Sequence, residues 1–279
     1  MNKGIGFWFL VLSDAITKFN RDDGWAVASH VALSGLFALF PFLIFATSIA
    51  AYFQLGHFSE NAIDFIFGYW PQAASEALAS EVRTILTVPR GDFLTIGGLL
   101  TLYFASNGVE AIRIGLNRSY RQEEKRPFWR LRLQSFGFVF IGIFALMSIT
   151  LLLVLLPLAW GIATRYLPIL VPWSDAVRVW RVVIAVVVLT VTLALAHKYL
   201  PAGHRTLRSV LPGILFTLLC WLVASLAFGA YLEQFADYVS MYAGLAGAMI
   251  ALLFLYMLAA IFIFGGHINA SFDRYYSIY

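Results

Sequence analysis

The sequence predicts an all-α membrane protein: a bundle of six transmembrane helices with an N-terminal interfacial helix and a short amphipathic helix in the first external loop. Three observations carry that expectation. The 279 residues are 61% hydrophobic and 12% charged, with a mean hydropathy of +0.81. A soluble domain holds about 25% charged residues, so this chain lacks the polar surface to cover itself in water. Its apolar stretches are continuous runs of about 20 residues or more, long enough for a spanning helix; a membrane β-barrel would show alternating segments of about ten. Finally, the basic residues are concentrated on alternate connections.

Residues 1–24 form the first unit. The run IGFWFLVL is too short to span, and Asp14, Lys18 and Arg21 follow it, so the segment reads as a helix lying in the membrane interface. No small-residue cleavage site follows Ile5–Leu12, so no cleaved leader is expected. Residues 25–279 form a single domain with spans at about 25–53, 93–116, 134–160, 179–200, 210–231 and 243–268. Pro41 is expected to kink span one. The loop 54–92 is acidic, and ASEALASEVRTIL within it has the period of a short amphipathic helix. Pro157, Pro168 and Pro172 break the connection after span three, where Trp160, Tyr166, Trp173 and Trp180 are placed for an interfacial aromatic belt. KYLPAGHRTLRS after span four is a tight basic turn. Pro212 is expected in the first turn of span five, where proline is tolerated.

Charge fixes the expected orientation. The N-terminus, the second and fourth loops and the tail hold 3, 6, 3 and 1 Lys or Arg, against 2, 1 and 0 in the first, third and fifth loops before Arg178 and Arg181 at the entrance of span four are added. The positive-inside rule then places both termini of a multi-pass protein in the cytoplasm. The lone Cys220 excludes an internal disulfide.

The polar residues of span two stand out. Asn107, Glu110, Arg113 and Asn117 are spaced three, three and four apart and share one helical face, beside a stripe of Gly108, Ala111 and Gly115 that permits close helix approach. An ionisable residue inside a span costs at least about 2.5 kcal/mol and normally faces the bundle interior. Two readings stay open. Arg113 holds an anionic group with Glu110 balancing it, or the two form an ion pair that knits helices together. His30 and Ser34 near the start of span one, and His267 and Asn269 at the end of span six, fall in the same leaflet, so a cytoplasm-facing polar cavity is expected there. His30 and His267 have no third ligand at metal spacing, and neither a metal nor a cofactor is expected. No phosphate-binding loop or nucleophile elbow is present.

LSGLFALFPFLIF, FASNGVEAIRIGLNRSYRQEEKRPFWRLRL, KYLPAGHRTLRSVLPG and YAGLAGAMIALLFLYMLAAIFIFGGHINA, with Trp221, Phe228 and Tyr231, resemble the YihY/BrkB family of bacterial inner-membrane proteins. The resemblance implies a six-span protein with envelope, lipid-transport or virulence-linked roles. That family once carried a ribonuclease BN label, for which this sequence offers no chemistry. Two departures concern the sixth span: Tyr242-Ala243-Gly244 stands where members show Tyr-Gly-Ser, and His267 stands where they carry an acid.

The expected function is therefore non-enzymatic transport or translocation of a lipid or other amphiphilic anion. The alternative is a scaffold in envelope homeostasis. Expected partners are membrane lipids, whose anionic headgroups meet the cytoplasmic loops, and a lipid or amphiphile substrate, with no nucleic acid. An oligomer is compatible with the sequence.

Overall fold

The computed structural model describes residues 3–52, 91–234 and 243–276, and these are helical throughout apart from short connections. The long helices are α1 (Lys3–Arg21), α2 (Gly24–Tyr52), α3 (Gly91–Tyr120), α4 (Phe128–Thr150), α5 (Leu156–Tyr166), α6 (Ser174–Tyr199), α7 (Leu207–Gln234) and α8 (Ala243–Tyr276). The amphipathic helix expected within 54–92 lies outside the described residues.

The surface identifies the solvent. Phe140, Phe144 and Met147 on α4, Val183, Val187 and Val191 on α6, and Leu211, Leu215, Leu219, Leu222 and Leu226 on α7 are all exposed. Aqueous surfaces do not carry apolar area on this scale. The buried set, by contrast, is rich in small and polar side chains, including Ser106, Ser119, Ser135, Thr217 and Ser271. That inversion is the packing logic of helices in lipid. Four helical stretches, Phe128–Tyr166, Pro168–Tyr199, Leu207–Leu232 and Gly247–Tyr276, are long and apolar enough to cross a membrane. The protein is an all-α, multi-pass membrane protein.

Six helices follow one another as neighbours: α2 on α3, α3 on α4, α4 on α6, α6 on α7, α7 on α8, and α8 back onto α2. α8 also touches α1 and α3, which makes it the hub. α1 buries Val11, Ala15, Lys18 and Phe19 along one stripe and exposes Trp8, Phe9, Leu12 and Ile16 along the other. A helix apolar on both sides, packed against a bundle, sits where its outer face meets lipid. Asp14 fastens it: its Oδ2 accepts from Lys18 Nζ at 2.5 Å and from Ser271 Oγ of α8 at 2.8 Å. Burial works to raise the Asp14 pKa, but these hydrogen bonds and the charges of Lys18 and Arg274 outweigh it and hold the carboxyl below its ordinary value.

Two helix boundaries differ from expectation for reasons of proline chemistry. The helix that carries the expected third span runs on past Trp160 to Tyr166 through a π-helical turn, Leu151–Leu155. Leu156 N–H bonds to the Leu151 carbonyl, five residues back, directly before Pro157. The wide turn absorbs the bond that Pro157 cannot make. Pro212 lies inside α7 rather than in its first turn, because the helix starts at Leu207. Its neighbour Gly213 donates its N–H across to Asn269 Oδ1 at 2.6 Å, which joins α7 to α8 beside the proline.

Glycines set the closest crossings. A Cβ on Gly213 would lie 2.0 Å from the Gly265 carbonyl oxygen, and one on Gly265 would lie 2.3 Å from Thr217 Oγ1. The next residue, Gly266, abuts Leu116 of α3, so consecutive glycines of α8 admit two different helices.

Candidate functional site

The polar face of α3 becomes a network of side chains at the end of the bundle. Asn107 Oδ1 accepts from Arg132 Nη1 of α4 at 2.8 Å, and Arg132 Nη1 is 3.5 Å from Glu110 Oε2. The Arg132 guanidinium also lies over the rings of Tyr103 and Phe136. Glu110 Oε1 accepts from Arg113 Nη2 at 2.7 Å. Arg113 is 3% exposed, and its Nε is 3.8 Å from Glu124 Oε2 in the α3–α4 connection.

Glu124 is the centre that the sequence reading did not single out. It accepts from Arg126 through the backbone N–H at 3.1 Å, Nε at 2.7 Å and Nη2 at 2.6 Å, and from Asn117 Nδ2 at 3.1 Å. Arg126 hydrogen bonding, foremost, with the Asn117 bond and the Arg126 charge, pulls its pKa down to about 2 against the opposing effect of burial. Arg126 in turn donates to Gln134 Oε1 and to the Leu200 carbonyl, while Asn117 Oδ1 accepts from the Ala202 N–H at 2.7 Å. One carboxylate therefore ties α3 and its following connection to the turn between α6 and α7. The available signal was two glutamates, Glu123 and Glu124, inside a segment otherwise dense in Lys and Arg.

A left-handed turn delivers Glu124 to this position. α3 ends in a Schellman motif: Gln122 N–H bonds to the Asn117 carbonyl and Arg121 N–H to the Arg118 carbonyl, with Arg121 at φ 53°. A non-glycine residue there costs about 1–2 kcal/mol, and glycine loses about 0.5–1 kcal/mol of chain entropy. Arg121→Gly is thus expected to raise stability by about 0.5–1 kcal/mol, read as an increase in the melting temperature of the purified protein in detergent.

The network is not neutral. It holds three guanidiniums (Arg113, Arg126, Arg132) and two carboxylates (Glu110, Glu124). Arg113 Nε and Nη1 and Arg132 Nη2 are buried and have no hydrogen-bond partner among the described residues.

The remaining candidates separate. Ser34 is buried at the α2–α3 crossing, its Cβ close to Gly108, whereas His30, one turn earlier, is exposed. Asn269 is fully buried and acts as a clamp: it takes the Gly213 N–H and donates to Tyr120 Oη at 3.2 Å, joining α8 to α7 and α3. His267 is buried edge-on against Phe19 of α1, with ring centroids 5.5 Å apart. His197 is a second buried histidine, stacked on Phe262 at 4.5 Å. Asn107, Glu110, Arg113 and Asn117 thus meet in one network, while His30, Ser34, His267 and Asn269 have other neighbours. Among the described residues no group of three His, Cys, Asp or Glu is placed to hold a metal ion.

A family model described as virulence factor BrkB matches residues 15–277. The chain belongs to the BrkB family. Among curated proteins, it is 30% identical over 263 residues to YfkH of Bacillus subtilis, a protein named as ribonuclease-like, covering 93% of this chain and 94% of that one. It is 25% identical over 265 residues to a UPF0761 membrane protein of Rhodospirillum centenum, covering 94% of this chain and 57% of that longer protein. No solved structure matches. The family description names no catalytic activity.

Within this BrkB-family chain, the network joins the segments richest in basic residues. Arg126 to Leu200, Gln134 to Tyr199 and Asn117 to Ala202 bind the α3–α4 connection to the α6–α7 turn. Asn269 to Tyr120 and Ser271 to Asp14 bring the last turns of α8 and the helix α1 to the same end of the bundle.

Proposed function

We propose that this BrkB-family protein is a non-enzymatic, six-span transporter that moves an amphiphilic anion, a lipid or lipid-like molecule, in the bacterial inner membrane, with both termini in the cytoplasm. The observation that carries the reading is the charge imbalance of the α3 network, three guanidiniums against two carboxylates, with Arg113 almost wholly buried and two of its nitrogens making no hydrogen bond among the described residues. A buried cation in surplus attracts an anion, and in a membrane protein such residues mark substrate paths. For the apolar part of the substrate, a groove of about 640 Å³ runs between α1, α2, α7 and α8, lined by Phe19, Trp25, Phe216, Tyr256 and Phe264. Its apolar lining suits an acyl chain. The gathering of basic segments at one end supports the orientation, since that end belongs in the cytoplasm.

The test uses proteoliposomes holding a fluorescent phosphatidylglycerol and a membrane-impermeant quencher. Arg113→Gln keeps a side-chain donor toward Glu110 and removes the charge, so it is expected to slow protein-dependent movement by about tenfold or more, equivalent to about 1.4 kcal/mol in the barrier. Arg113→Lys is expected to retain most of it. Undiminished movement by a folded Arg113→Gln protein would remove Arg113 from the path.

One observation favours the scaffold reading instead. Glu110 is met by both Arg113 and Arg132, and Asn107 and Asn117 have partners, so much of this face is already engaged within the protein. Absence of any protein-dependent lipid movement would support that reading.

A further inference from the structure

Between the α3–α4 connection and the α6–α7 turn lies a polar pocket of about 750 Å³. None of the eight residues singled out from the sequence lines it. We propose that this pocket binds a phosphate group carrying more than one negative charge, a phosphomonoester or diphosphate, held between Lys125, Arg130, Lys198 and Arg205. This adds to the transport reading a second anion site at the same end of the bundle, and it rests on that reading only for the lipid form of the ligand.

Of the residues lining the pocket, Arg126 and Glu124 neutralise each other, and Arg126 spends its remaining donors on Gln134 and the Leu200 carbonyl. They form a fixed wall. The four other cations have no carboxylate in ion-pair reach among the described residues. Glu123 also lines the pocket but is exposed. Four cations against one free carboxylate leave a surplus of three positive charges in one concavity.

Arg205 supplies the second observation. Its guanidinium carbon sits 3.8 Å from the centre of the Tyr120 ring, and Nη2 donates to the Ala202 carbonyl at 2.8 Å. These contacts fix the plane of the guanidinium. Nη1 is buried and has no partner among the described residues. Burial, foremost, and the nearby Arg126 charge work against its protonated form, while Tyr120 and Asp273 support it. An anion in the pocket opposes both effects. The turn that carries Arg205 is held in shape by Gly203 at φ 88°, where a Cβ would meet Gln122 Oε1 at 2.9 Å. The two sides of the pocket are therefore already locked together, and the site is formed before any ligand arrives.

The chemistry selects the ligand class. A carboxylate carries one charge and two oxygens and would leave most of the surplus unmet. A phosphomonoester carries about −1.5 to −2 charges and three acceptor oxygens, which suits separated lysine and arginine donors around one cavity. The same group occurs in soluble polyphosphates and at the head of an anionic lipid. The pocket lies beside the apolar ends of α4 and α6, where exposed Phe128, Trp129 and Tyr199 are positioned for a membrane interface.

The test is equilibrium binding to the purified full chain in a neutral detergent, with inorganic pyrophosphate and short-chain phosphatidic acid as probes and short-chain phosphatidylcholine as the reference. Lys198→Gln combined with Arg205→Gln is expected to weaken binding at least about tenfold, which is about 1.4 kcal/mol. Arg178→Gln, an exposed position elsewhere, is expected to change nothing. Binding of both probes in competition supports a site for the shared phosphate group. Phosphatidic acid alone assigns the lipid as the source, and pyrophosphate alone assigns a soluble anion; both keep the proposal. Should the double variant fail to fold, Lys125→Gln with Arg130→Gln, both exposed, carries the same expectation. The proposal is overturned if neither probe binds better than phosphatidylcholine, or if the pocket variants bind as the unaltered protein does. Because binding is read without transport, a phosphate site in a protein that moves no lipid sinks the transport reading and leaves this one standing.

Discussion

Glu124→Ala is expected to destabilise the protein by about 1–3 kcal/mol, the cost of leaving the partners of a half-buried, charge-assisted carboxylate unmet. The carboxylate receives four hydrogen bonds, three from Arg126 and one from Asn117, and stands 3.8 Å from the Arg113 Nε. Its loss leaves Arg113 and Arg126 facing each other without the negative charge between them. Glu124→Gln retains the shape and loses the charge, so it is expected to fall between the two. The melting temperature in detergent reads the effect. A loss below about 1 kcal/mol, the range of exposed pairs, would mean that the network is a surface feature. The pH dependence has a definite sign. The folded-state pKa, about 2, lies below the ordinary 4.5. The contribution of Glu124 is therefore complete above about 4.5 and is lost as the pH falls through that window toward 2. Asp14, also held below its ordinary value, adds loss in the same direction. In the Glu124→Ala protein the acid-sensitive part assigned to Glu124 should be gone.

Gly213→Ala is expected to destabilise by about 2–4 kcal/mol. On helix propensity alone the change would stabilise, by about 1 kcal/mol. The close crossing reverses the sign. The new methyl would lie 2.0 Å from the Gly265 carbonyl oxygen and 2.6 Å from the Asn269 side chain, and backbone cannot swing aside as a flexible side chain can. Overpacking of this kind costs about 1–3 kcal/mol or more. Displacement of Asn269 adds about 1–3 kcal/mol for the buried groups left unmet. Gly229→Ala on the same helix is the matched control: nothing lies within 4 Å of its Cβ position, and it is expected to be neutral or stabilising. Equal behaviour of the two variants would show that α7 and α8 do not meet as described.

These two residues show where sequence reading reaches its limit. The helical class and the polar face of α3 follow from composition and spacing, which act locally. Glu110 and Arg113 lie three residues apart, so their pairing was legible as one of two open readings, and the structure shows it at 2.7 Å. Ala111 and Gly115 do lie buried, as the small-residue stripe implied. Glu124 was not legible as a centre, because three of its five contacts are to Arg126, two residues on, while its importance comes from the left-handed residue Arg121 turning the chain so that Glu124 comes back toward Asn117 and Arg113. Asn269 was read as a candidate for binding. Its partners, Gly213 and Tyr120, are 56 and 149 residues away, a distance at which spacing carries no information. The phosphate pocket depends on two basic connections that topology alone explains one at a time. Only their joining, through Asn117, Arg126 and Gln134, makes a concavity of them.

Surplus positive charge at one end of this bundle is proposed to serve an amphiphilic anion. The most direct measurement compares protein-dependent movement of fluorescent phosphatidylglycerol and phosphatidylcholine, matched in acyl chain, in vesicles containing the unaltered protein. The account predicts movement of the anionic lipid at least about tenfold faster than that of the zwitterionic one, a difference of about 1.4 kcal/mol in barrier. Equal rates for the two lipids, or no movement above protein-free vesicles, would contradict it.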